Sequence, residues 1–245
     1  MNCLKIIATY LGPRRQNNNN FSSYEQTKQY LNYSINDVEK NIDPGIDMDV
    51  LIVNNDDGNE ESKNFINSFN NVKLKKGNIF VTHRPNEGGS FGAFSCGYSL
   101  LEDKYDYYIF NEDDITIFQS NYMEEVDFLF KTNDTLGFIS FSPISFSATP
   151  HSGGGFGVAP NHILKNIVKD KSTNKLRYHS GTDYSKYEAS EIEFTNCIVR
   201  SGFAIINHPS FSCLAENYKK HQCQNVHQYV TEENLSKPFL YRVGF

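Results

Sequence analysis

Three consecutive acids, Glu112-Asp113-Asp114, follow the apolar run Tyr107-Tyr108-Ile109-Phe110 after a single Asn111. The run has the aromatic and β-branched character of a strand buried inside a sheet, so the carboxylates belong at its carboxyl end. That edge of an open α/β sheet is where ligands bind, and clustered carboxylate oxygens suit a hard divalent cation, Mg²⁺ or Mn²⁺, shared with substrate phosphates. Taken alone, such a triplet also fits a solvated acidic turn. A second set of groups, Glu191, Glu193 and Arg200, lies on a helical stretch at 191–200. A carboxylate there can take the proton of an attacking hydroxyl. Two residues turn a helix by about 200°, so only one of the two glutamates can face a site. His208, just past an apolar segment at 203–206, is a candidate metal ligand, against the commoner structural role of a lone histidine. Arg14, Arg15 and Arg84 offer guanidinium forks that match phosphate geometry.

The elements that must hold these groups alternate along the chain. Residues 4–10 read as a first strand, broken by Gly12-Pro13 and an asparagine run at 17–20. Tyr24, Thr27, Tyr30, Leu31, Ile35 and Val38 recur at helical spacing, and a second apolar strand at 48–53 ends in Asn54-Asn55-Asp56-Asp57-Gly58. Strand, helix and strand make a βαβ unit. A short helix at 61–70 and a strand at 78–82 lead to Arg84-Pro85-Asn86-Glu87-Gly88-Gly89-Ser90, which opens a helix reaching residue 101. Small residues there allow close backbone approach, and free amides at a helix start attract anions. After the acids come a helix at 123–130, a strand at 136–141, a glycine-rich stretch at 151–157 expected as a mobile loop, and a helix at 161–168. The helix at 191–200, a strand at 202–206 and a last helix at 214–229 follow.

Composition narrows the function. A net charge of -6 lacks the clustered excess of lysine and arginine that nucleic-acid binding needs. No run of about 18 apolar residues exists, and the first residues lead into a strand pattern rather than a signal peptide, so a cytoplasmic protein without a transmembrane segment is expected. Five cysteines without a C-x-x-C pair fit reduced thiols. Cys213, Cys223, His221 and His227 match no standard zinc spacing. Lys237 to Arg242 is aromatic and basic, which allows a peripheral membrane contact; packing against the domain is the alternative.

Over nearly the whole chain the order of these pieces resembles the glycosyltransferases of the GT-A fold, and among them the large inverting family 2. The resemblance implies an α/β, GT-A-like (Rossmann-like) three-layer sandwich with a mostly parallel central sheet, in one domain over 1–245. Its nucleotide-binding part would span about 1–115 and its acceptor-binding part about 116–245. Thr9 and Tyr10 correspond to the strand end near the nucleotide base, and Asn54 with Asp56 to the polar cluster that reads base and ribose. Asn86 and Gly88, with Gly92, Ala93 and Gly97, correspond to the family's Asn-x-Gly stretch. The acidic motif, usually Asp-x-Asp, has two registers here. With Asn111-x-Asp113 the first aspartate has become asparagine. With Glu112-Asp113-Asp114, the preferred register, three carboxylates remain and Asp114 binds the metal directly, with Glu112 and His208 as further ligands. Asn111 is then left for sugar or ribose hydroxyls, beside Glu112, Asp113, Arg14 and Arg84.

The same resemblance makes Glu193, or alternatively Glu191, the base, with Arg200 seven residues beyond Glu193. The expected reaction is a Mn²⁺- or Mg²⁺-dependent transfer of a sugar from a nucleotide-diphosphate sugar, a UDP-sugar favoured, to an acceptor hydroxyl with inversion. The acceptor would be a glycan, a lipid-linked glycan or a protein. Two other readings stand beside it. A nucleotidyltransferase would release pyrophosphate, although Gly12-Pro13-Arg14-Arg15 is a poor version of its loop. A noncatalytic sugar-binding module would explain Asn111 as the mark of a degenerate site.

Overall fold

The computed structural model describes residues 1–12, 24–41, 44–117, 120–142, 144–145, 150–168, 176, 184–208 and 240–242. Arg14, Arg15, the asparagine run, the helix expected at 214–229 and the Cys213, Cys223, His221 and His227 group lie outside them. Strand β1 (Asn2–Thr9) is central, and every residue after Asn2 is buried because helices cover both sheet faces. Helix α1 (Tyr24–Asn41) leads to β2 (Asp47–Asp56), and α2 (Glu60–Asn67) leads through the short β3 (Lys73–Leu74) to β4 (Gly77–Pro85). Helix α3 (Gly89–Leu100) then returns the chain to β5 (Tyr107–Glu112) on the other side of β1. Beyond it lie β6 (Ile115–Ile117), α4 (Tyr122–Thr132), β7 (Leu136–Ser140) and the two-residue strands β8 (Ile144–Ser145) and β9 (His151–Ser152). Strand β10 (Gly157–Pro160), α5 (Asn161–Val168), α6 (Tyr184–Arg200), β11 (Ala204–Asn207) and β12 (Leu240–Arg242) complete the described elements.

The main sheet has eight strands in the order β11-β7-β10-β5-β1-β2-β4-β3. Within it β1 pairs in parallel with both β2 and β5, and β2 with β4. The chain therefore winds one way from β1 to β4 and resumes on the other side at β5. The β1–β5 boundary is a topological switch point, where the loops above adjacent strands diverge and leave a crevice. Strand β10 runs antiparallel between β5 and β7, and β3 is antiparallel at the far edge.

Alternation along the strands fills two cores. Cys3, Ile7, Ile52 and Ile109 pack with Leu31, Ile35 and Val38 of α1, Ile66 of α2 and Met123 of α4. On the opposite face Leu4, Ile6, Val53 and Phe110 pack with Phe91, Phe94 and Tyr98 of α3, Leu164 of α5 and Phe194 of α6. Three layers and a mostly parallel sheet are thus observed as expected.

The glycine-rich stretch at 151–157 departs from the expectation of a mobile loop. His151–Ser152 pairs with Ile144–Ser145, residues 153–155 form one 3₁₀ turn, and Gly157 begins a strand inside the sheet. Gly157 has φ of +155°, and a Cβ there would lie 2.2 Å from the Ile139 carbonyl oxygen. Glycine at this position serves the close approach of two strands, not mobility. Residues 240–242 pair with β6, directly after the acidic turn, so this part of the expected membrane-contact segment packs against the chain.

Candidate functional site

The acids stand at the switch point. Glu112 ends β5, Asp113 and Asp114 form the turn into β6, and all three are buried. Asp113 is held from β1: the Thr9 hydroxyl donates to its Oδ2 at 2.6 Å, and its amide donates to the Ala8 carbonyl at 3.1 Å. The Ser90 hydroxyl, in the first turn of α3, donates to Glu112 Oε1. That turn opens at Gly88, whose φ of +69° is open to glycine at little strain. The α3 amino terminus, with its partial positive charge, is thereby brought against the carboxylates.

Asn111 has a different place from the one its resemblance implies. It is fully buried, and its amide nitrogen contacts Ser34 Oγ at 2.8 Å, the Glu112 carbonyl at 2.8 Å and the Ile115 carbonyl at 2.9 Å. Two of these acceptors straddle the Asp113–Asp114 turn. An aspartate has no donor for either carbonyl, so this position requires an amide. Asparagine here clamps the turn, and it is not thereby the relic of a lost metal ligand.

Beneath the clamp is a buried polar cluster that sequence reasoning missed. Lys5 on β1 reaches both Asp37 oxygens, at 2.7 and 2.8 Å, and the Ser34 carbonyl at 2.8 Å, while Asp37 Oδ2 also accepts from the Ile117 amide at 2.8 Å. Burial lowers the Lys5 pKa and raises that of Asp37, against the attraction each exerts on the other. The signal was available: a lysine interrupts the apolar run Leu4-Lys5-Ile6-Ile7, and Ser34 and Asp37 sit three apart on the apolar stripe of α1.

On the β2 side Asn54 is buried opposite Thr9, and its amide nitrogen meets His83 Nδ1 at 3.0 Å. Tyr10 is half-buried, and with Asp57 it closes on Gly12, where a Cβ would lie 2.5 Å from the tyrosine ring. Asp56 pairs instead with Lys63 at 2.9 Å and accepts from the Gly58 amide. Those bonds hold its carboxyl below the usual range. Arg84 is likewise engaged within the chain, donating to Asn55 Oδ1 at 2.5 Å and to the Glu87 carbonyl at 2.7 Å. It braces the loop before α3. Asn86 is half-buried in that loop.

Two expected assemblies are not formed. His208 is fully buried, 3.4 Å from Glu125 and edge-on to Phe141, with its amide donating to the Ser140 carbonyl. Burial depresses its pKa to about 4. It follows β11, three strands from β5, roughly 14 Å at about 4.8 Å per strand. It therefore does not join Glu112 and Asp114, and among the described residues no three His, Cys, Asp or Glu side chains gather to hold a metal. What the end of β5 and the turn after it offer is one or two carboxylates. That set fits Mg²⁺ or Mn²⁺ shared with a diphosphate, because such ions take much of their coordination from substrate and water.

The second assembly concerns the base. Glu193 pairs with Arg200 at 3.3 Å, on the helix flank away from Thr195. The partner lies toward the carboxyl end of α6, which is the opposite edge of the sheet from the acids. Glu191 shares a flank with Thr195, whose hydroxyl accepts from the Ser152 amide at 2.9 Å. It stands about 3 Å nearer the amino end of α6 than Glu193, at about 1.5 Å per residue. Phe194, next to Glu193, packs on Phe110 at 5.0 Å, which brings this level of α6 against the end of β5.

No protein-family model matches the sequence. No curated protein matches it significantly either. Solved structures do match. S. aureus TarS aligns with a TM-score of 0.51 at 12% identity over 84% of this chain and 35% of its own. TarS 1-349 aligns at 0.51 and 12% over 80% and 56%, and TarS 1-349 in complex with UDP at 0.53 and 12% over 85% and 58%. The chain thus spans between about a third and three-fifths of the lengths it matches. No described helix is long and apolar enough to cross a membrane. Sheet order, layers and these likenesses together give the chain a mixed α/β, GT-A-like fold.

Proposed function

We propose that this chain is a glycosyltransferase that moves a sugar from a UDP-sugar to an acceptor hydroxyl, as a member of the inverting family 2. The observation that carries the reading is the buried Asp113–Asp114 turn at the switch point, locked by Thr9 and Asn111, in a fold for which a neighbour is solved with UDP. Residues up to about 115 would bind the nucleotide, with the base beside Tyr10 and Asn54 and the diphosphate before the α3 amino terminus. Residues beyond about 116 would hold the acceptor, a glycan, a lipid-linked glycan or a protein. Asp114, with Glu112 or Asp113, would hold Mn²⁺ or Mg²⁺; such a cation neutralises charge growing on the departing diphosphate.

The base takes the acceptor proton as the hydroxyl attacks the anomeric carbon in line with the departing diphosphate. Glu191 is the better candidate, because Glu193 is turned to Arg200. The clamp accounts for Asn111 without a degenerate site, one of the two grounds for the noncatalytic binding module, the other being the identity of the base.

Incubation with UDP-glucose, UDP-galactose or UDP-N-acetylglucosamine and Mn²⁺ should release UDP, with loss of roughly a hundredfold or more in Asp114→Asn. Release of pyrophosphate from UTP and a sugar phosphate would favour the nucleotidyltransferase instead.

A further inference from the structure

The two limbs of the acidic turn are anchored differently. The entering limb, β5, lies in the main sheet, where Glu112 stands opposite Ala8 of β1. The leaving limb, β6, belongs to a separate two-stranded sheet with β12. Two buried polar contacts tie this second limb to α1. Asn111 Nδ2 bridges the Ile115 carbonyl, at 2.9 Å, to Ser34 Oγ, at 2.8 Å. Three residues farther along α1, Asp37 Oδ2 accepts from the Ile117 amide at 2.8 Å. Lys5 fixes the Asp37 carboxylate in turn, donating to its two oxygens at 2.7 and 2.8 Å and to the Ser34 carbonyl at 2.8 Å. Lys5 stands opposite Ile109, two residues before Asn111, so the brace runs from β1 through α1 to β6 and returns to β5. Lys5, Ser34, Asp37 and Asn111 are all buried, at most 4% exposed, so bulk water does not replace a bond lost among them.

We propose that Asp37, held by Lys5, is a positioning residue for the divalent cation of the donor site. By fixing the Ile117 amide it sets where Asp114 stands relative to Glu112, and so the affinity for Mn²⁺ or Mg²⁺. The inference rests on the metal-bridged donor reading above. Mg²⁺ demands near-octahedral oxygen geometry at about 2.0–2.1 Å, so a slightly displaced carboxylate is a poorer ligand. The bond to the Ile117 amide carries the effect, and the charge of the ion pair does not.

Mn²⁺ binding to the full chain in the presence of UDP, read from the electron paramagnetic resonance of the free ion, separates bond from charge. Lys5→Met with Asp37→Leu and Lys5→Met with Asp37→Asn both abolish the ion pair, but only the asparagine keeps an oxygen for the Ile117 amide. The asparagine form should bind Mn²⁺ within about threefold of wild type and the leucine form at least about tenfold more weakly, as is common when a partner that orients a metal ligand is lost. A merely structural pair would change the Tm of both forms and leave Mn²⁺ affinity alone. Equal Mn²⁺ affinities in the two double variants overturn the inference and leave the metal site standing. Hydrogen exchange at the Ile117 amide of the wild type examines the same bond without a substitution. The ligand-free chain should protect that amide, and exchange at the rate of an unstructured peptide overturns the inference. Absence of Mn²⁺ binding in the wild type removes the metal site and the inference together.

Discussion

Asn111 shows how a single atom type decides between two accounts of one position. Its amide bridges the carbonyls before and after the acidic turn, and Asn111→Asp would set a carboxylate against both of them. Leaving those acceptors unmatched and burying a charge should destabilise the protein by about 3 kcal/mol, read as a lowered urea midpoint at pH 7. A gain of metal affinity with unchanged stability would contradict the clamp. His208 gives a pH signature at the same scale. Its pKa falls from 6.5 to about 4 on folding, so between those values the unfolded chain binds the extra proton. This contribution to stability is present above pH 6.5 and is lost as pH falls toward 4, by about 3 kcal/mol in all. Urea titrations at pH 7 and pH 4.5 should show that loss, and His208→Gln should flatten it.

At the scale of elements, the acidic turn is held by contacts that cross from β1 to α1 and β6. Lys5 and Asp37 are 0% and 4% exposed, and each satisfies the other. Lys5→Met leaves Asp37 charged and unpaired against the Ile117 amide, a change expected to cost about 3–5 kcal/mol. The double variant Lys5→Met, Asp37→Leu should recover much of that loss by thermal denaturation, because a buried ion pair is replaceable by well-packed apolar groups. Equal instability of the single and double variants would show that the two do not act as a pair. The elements also show where sequence reading succeeds. Strands β1, β2 and β5 carry long apolar runs ending in polar groups, and burial on both faces produces that pattern directly. Strand β10 has four residues beginning with glycine, too few for a period, and its place between β5 and β7 is set by strand pairing far away in sequence.

For the whole molecule, the topology brings the ends of β1, β2 and β5 together, and this part of the site was legible because each end is marked by its own polar residues. Thr9 stands opposite Asn54, and its hydroxyl donates to Asp113. His208 was misread because a histidine after a strand looks the same whether that strand lies one or three positions from the acids. Arg84 and Glu193 engage Asn55 and Arg200 within the chain, partners that residue type alone does not distinguish from ligands. The central claim is that the switch-point crevice binds UDP at the acidic turn, and thermal denaturation with UDP tests it most directly. UDP at a hundred times its dissociation constant adds about 2.7 kcal/mol, roughly 5–10 °C in Tm for a chain of this size. The account predicts that shift with Mn²⁺, a much smaller one in EDTA and in Asp114→Asn, and no change in the ligand-free Tm of that variant beyond a few degrees. An unshifted wild-type Tm with UDP and Mn²⁺ would contradict it.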